Sequence, residues 1–113
     1  MWQPISLSEL KELISQQLAE CTHETRAQYK ANAIAPQKWA LSPWGDDGGG
    51  FWVIAIFGNS VLWYNDIEDG FNTSSYVKEG AIEHYWCNQD TLHIALLGLS
   101  QSSPKLGAPN ALT

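Results

Sequence analysis

The chain has 113 residues, 44% hydrophobic and 12% aromatic, with two cysteines and a formal net charge of −6. That length suits one domain with one core and is too short for two. No run approaches the roughly 18 apolar residues of a membrane helix, "MWQPISLSEL" lacks a basic region leading into an apolar one, and Cys21 and Cys87 are far from a disulfide framework, so a cytoplasmic protein with reduced thiols is expected.

The first element is an amphipathic helix in "ISLSELKELISQQLAEC". Apolar residues at 7, 10, 14, 18 and 21 follow a 3.6-residue period. Ser6 and Glu9 have capping-box spacing, and Ile5 and Leu10 occupy the hydrophobic-staple positions, so the helix starts at Ser6. The period allows it to continue through "THETRAQYK", but it has to end before Ala35-Pro36. Its apolar stripe then needs a sheet to lie on.

The segment "PQKWALS" adds a strand ahead of the connector "WGDDGGG". "FWVIAIF" and "SVLWYND" flank Gly58-Asn59, a pair suited to a primed hairpin turn. In that register Ile54 opposes Trp63 and Asp66 opposes Phe51, and Trp52, Ile54, Ile56, Val61 and Trp63 share the face expected beneath the helix. Both faces are apolar, which marks central strands and leaves a second face suited to a homodimer. "FNTSSYVK" reads as a weaker strand, "AIEHYW" as a short strand or turn, and "TLHIALLGL" as a further strand by its apolar density, with a short helix as the alternative. The expected architecture is α+β: an N-terminal amphipathic helix packed on an antiparallel β-meander of four to five strands. It forms one domain over residues 1–98, followed by a flexible tail over 99–113 that is rich in Ser, Pro, Gly and Ala.

Charge separates along the chain. Residues 1–45 balance four acids against four bases, whereas residues 46–90 hold eight acids against Lys78 alone. Such a field repels nucleic acid and anionic lipid and attracts a cation or a basic protein. The glycines of "WGDDGGGFW" lead into a strand and sit beside aspartates, the opposite of a phosphate loop. "DDGGG" also lacks the alternating ligands of a calcium loop, and His84-x-x-Cys87 has no second pair to complete a metal site. No acid, base and nucleophile converge in the sequence, so no catalytic residues, metal or cofactor are expected, and the chain reads as a non-enzyme.

What remains is an acidic, aromatic-containing edge. Asp46 and Asp47 precede the hairpin, and Asp66, Glu68 and Asp69 form the turn that the register returns to the same end, with Trp44 as an aromatic anchor. Across "WGDDGGGFWVIAIFGNSVLWYNDIEDGFN" and "YWCNQD" the chain resembles small acidic immunity-type proteins of bacterial toxin and immunity systems. The resemblance is one of overall style and transfers no individual residue. It implies a protein that neutralises a cognate toxin, such as a basic nuclease, in a tight complex. A module that binds a small molecule or cation through the two loops is the competing expectation.

Overall fold

The computed structural model describes residues 3–102. Three helices, α1 (Leu7–Leu18), α2 (His23–Asn32) and α3 (Leu92–Ser102), accompany four strands, β1 (Ala33–Trp39), β2 (Phe51–Phe57), β3 (Ser60–Asn65) and β4 (Gly70–Ser75). The strands form one antiparallel meander in the order β1-β2-β3-β4. The fold is α+β, as the sequence indicates. Among the described residues no helix is long and apolar enough to cross a membrane.

The start of α1 follows its local chemistry. Ser6 Oγ accepts from the Glu9 N–H at 3.2 Å, and the Glu9 carboxylate accepts from the Ser6 N–H at 3.0 Å. Leu10 and Ile14 are buried, and Ile5 packs against their cluster. The helix does not run on through residues 22–30. Thr22 Oγ1 takes the Thr25 N–H and opens α2 as a separate helix. Arg26 then donates to the carbonyls of Leu18 at 3.1 Å and Cys21 at 2.9 Å, tying the two helices together across the break.

The hairpin between β2 and β3 closes through Gly58, with φ of +62°, and pairs Phe57 with Ser60 and Ile56 with Val61 as expected. Past that point the register shifts. A bulge between Val53 and Ala55 leaves Ile54 without a partner, so Trp63 pairs with Val53 and Trp52 with Tyr64. Ile54 and Ala55 consequently join the same core cluster, with Leu62, Tyr64 and Phe71 from the sheet and Leu10, Ile14, Leu92 and Leu96 from the helices. The face expected beneath the helix is therefore split: Trp52 and Ile54 do lie on the helix side, whereas Ile56, Val61 and Trp63 lie away from the helices, beside Trp39, Phe51 and Val53.

That second face is covered by the chain itself. Ile82, Tyr76 and Tyr85, from the irregular segment between β4 and α3, pack on it together with Leu41. Hydrogen bonds from the Ala40 N–H to the Gly80 carbonyl and from the Ile82 N–H to the Ala40 carbonyl fasten the segment beside β1. The second apolar face thus carries its own layer of packing residues.

Two further expectations are corrected at the C-terminal end. "AIEHYW" contributes an isolated bridge, Ala40 with Ala81, and no strand. "TLHIALLGL" is helical: Leu92, Ala95, Leu96 and Leu99 are buried at helical spacing. Exposed Ile94 and half-buried Leu97 add apolar residues between them, which hides the period in the sequence. α3 extends to Ser102, so residues 99–102 of the expected tail are helical. Residues 103–113 of the expected tail lie outside the described residues.

Gly50 illustrates how tightly the entry to β2 is built. Its φ is +105°, and a Cβ there would collide with the Trp39 carbonyl oxygen. Gly50→Ala should therefore cost about 2 kcal/mol or more of folding stability, a loss measurable by urea denaturation.

Candidate functional site

In an up-and-down meander the β1–β2 and β3–β4 connections emerge at the same end, and both acidic segments do so here. They are not equivalent. The bulge sets Trp52 beside Tyr64, so the expected pairing of Asp66 with Phe51 does not form, and Asp66 enters the turn after Asn65. Asn65 is fully buried, and its side-chain oxygen accepts from the N–H groups of Ile67 at 3.0 Å and Glu68 at 3.2 Å, which shapes the turn.

Asp66 is half-buried, and its Oδ2 accepts from the Ile5 N–H at 2.7 Å. The Ile5 carbonyl in turn accepts from Trp52 Nε1 at 3.1 Å, so both backbone groups of the residue leading into α1 are clamped to the sheet. Burial pushes the Asp66 carboxyl above the ordinary carboxylate range, against the opposing pull of the Ile5 N–H and the nearby Lys38 charge. Asp66 is thus a structural anchor for the N-terminal segment. Asp69, exposed and at φ of +59°, accepts from the Tyr64 hydroxyl at 3.3 Å. Glu68 is half-buried, with its carbonyl accepting from Gln89 Nε2 at 3.0 Å.

The first acidic segment is more open. Asp46 and Asp47 are exposed on a single 3₁₀ turn, Asp46–Gly48, with Ser42 Oγ donating to Asp46 at 2.6 Å. Trp44, 46% exposed, lies flat on Tyr85, with ring centroids 4.3 Å apart and planes 10° from parallel. Tyr85 also approaches Phe51 and Trp63, each at 6.1 Å, so the stack is seated on the second-face core. Trp44 therefore belongs to the face opposite the helices, whereas Asp66 and Asp69 are tied through Ile5 and Tyr64 to the helix side.

Three contributors were not evident from the sequence. Tyr85 is the pedestal for Trp44. Ile5 fixes Asp66. Lys38 is a cation set into the acidic end: its Nζ donates to the Gly48 carbonyl at 2.7 Å and sits 5.0 Å from the centre of the Trp52 ring. Only the aromatic run "HYW" hinted at the first, since Ile5 and Lys38 act through contacts distant in sequence.

His84 and Cys87 are both exposed, and Cys21 is buried with its thiol donating to the Gln17 carbonyl at 3.4 Å. Among the described residues no group of three or more His, Cys, Asp or Glu side chains has a metal-binding arrangement. Comparison of the chain with protein-family models, curated proteins and solved structures finds no match.

The Tyr64 hydroxyl is pushed up to about 12 from 10.0, first by burial and then by the charge and hydrogen bond of Asp69. A folded pKa above the unfolded one means that the stabilisation is complete below pH 10.0 and is lost as pH rises through about 12. Tyr64→Phe should accordingly lose stability less steeply than the natural chain across that alkaline window, as read by urea denaturation at stepped pH.

Proposed function

We propose that the chain is a non-enzymatic protein-binding domain, most specifically an immunity-type inhibitor that neutralises a basic toxin, such as a nuclease, in the cytoplasm. The observation that carries this reading is Trp44, half-exposed on its Tyr85 support and followed directly by the exposed carboxylates Asp46 and Asp47. A rigid, partly exposed tryptophan is the kind of side chain that anchors an interface at little entropic cost. Adjacent carboxylates, with Asp69 at the same end of the sheet and an acidic segment from 46 to 90 behind them, steer a cationic surface toward that anchor. Asp66 holds the fold in this scheme, and Glu68 contributes charge from the turn.

The test uses the product of the reading frame adjacent to this one. If it carries a basic toxin domain, the purified domain should bind this chain tightly and lose its toxicity on co-expression. Trp44→Ala should then weaken binding by about 30-fold or more. The double change Asp46→Lys with Asp47→Lys should act mainly on the association rate and flatten its salt dependence. A non-toxic neighbour, or a toxin whose binding and inhibition ignore these changes, would overturn the proposed edge.

A further inference from the structure

A second feature lies away from Trp44, where α3 passes the outer edge of β4. A cleft of about 480 Å³ opens there, lined by Thr73, Trp86, Asn88, Asp90, Ile94 and Gly98 among others. This volume falls within the range of pockets that take small ligands or a side chain with its flanking peptide.

The irregular segment that forms one wall is held by the sheet at every second residue. Asn65 Nδ2 donates to the Trp86 carbonyl at 2.9 Å. The Asn72 carboxamide donates to the Asn88 carbonyl at 3.0 Å and accepts from its N–H at 3.1 Å. The Phe71 N–H donates to the Asp90 carbonyl at 2.9 Å. Residues 86, 88 and 90 are therefore presented in a fixed arrangement, with their side chains left for other uses.

Those side chains have a definite chemistry. Among the described residues Asp90 is the charged one of the lining, and its carboxylate enters no hydrogen bond or ion pair with them. Trp86, 51% exposed, and Ile94, 49% exposed, add apolar surface to the same lining. Gly98 lies within α3, where glycine is the least favourable residue after proline, yet a Cβ added there would meet nothing within 4 Å. Among the described residues a side chain at position 98 would therefore enter the open space of the cleft.

The geometry points to a binding site for an arginine side chain presented by a protein partner. The guanidinium pairs with the Asp90 carboxylate and stacks on the Trp86 ring, while the aliphatic stem runs along Ile94 and Ala95. Arginine suits the site better than lysine because its planar head combines stacking with in-plane donation to a carboxylate. This assignment does not require the immunity reading: it concerns a different part of the surface and is tested without a toxin.

The probes are N-acetyl-arginine amide and N-acetyl-lysine amide, titrated into the full chain and followed by ¹H–¹⁵N NMR. The Trp86 indole signal is assigned from Trp86→Phe. Capped arginine should shift that signal saturably and bind more tightly than capped lysine. Asp90→Asn should weaken arginine binding about tenfold with an unchanged melting temperature. Gly98→Ala should raise the melting temperature, and Gly98→Leu should leave a folded protein in which the arginine response is abolished. A Trp86 signal that ignores arginine, an equal response to lysine, or undiminished arginine binding in folded Asp90→Asn would each overturn the proposal.

Discussion

The arrangement of the whole molecule depends on one extra residue in β2. Without the bulge at Ile54, strict alternation would put Trp52, Ile54 and Ile56 on one face and Val53, Ala55 and Phe57 on the other. With it, Trp52, Ile54, Ala55 and Phe57 all pack against the helix-side cluster, while Val53 and Ile56 join Trp63 on the far side. The helices therefore rest on a mixed surface of Ile54, Ala55, Leu62, Tyr64 and Phe71, and the large rings of Trp39, Phe51 and Trp63 form a separate layer on the other face. That layer is closed by the irregular segment between β4 and α3, which carries the two tyrosines that cap it.

The same division explains why the acidic residues, similar in the sequence, have different roles. A carboxylate that reaches the helix side finds backbone donors and becomes part of the framework, as Asp66 does with Ile5. Asp46 and Asp47, on the 3₁₀ turn, stay exposed, with Ser42 donating to Asp46. Lys38 sits between, its ammonium on the Gly48 carbonyl and over the Trp52 ring, easing the repulsion that gathering carboxylates at one end creates. The charged end is thus organised by the Lys38 cation and a clamped backbone.

What could be read in advance was the local part. The capping box at Ser6, the hairpin at Gly58 and the strand leading to Trp39 all depend on residues within a few positions of one another. The bulge could not be read, because nothing in "FWVIAIF" distinguishes an unpaired isoleucine from a paired one. Of the candidate edge, the gathering of both acidic loops at one end was legible from meander topology. The burial of Asp66 was not, since it depends on where residue 5 comes to lie. The seat beneath Trp44 was equally hidden, because Tyr85 arrives there only after β4 and a long irregular stretch have been placed.

The first turn of α3 carries a similar long-range dependence. Its Leu92 N–H is capped at 2.7 Å by the side chain of Gln17, which lies on α1, 75 positions earlier. The C-terminal helix therefore lacks one of its own starting hydrogen bonds until the N-terminal helix is in place. Such an arrangement couples the two ends of the described chain into one cooperative unit. Fraying of α1 would release the start of α3 as well, so exchange of the Leu92 amide with solvent would report on events at the opposite end of the sequence.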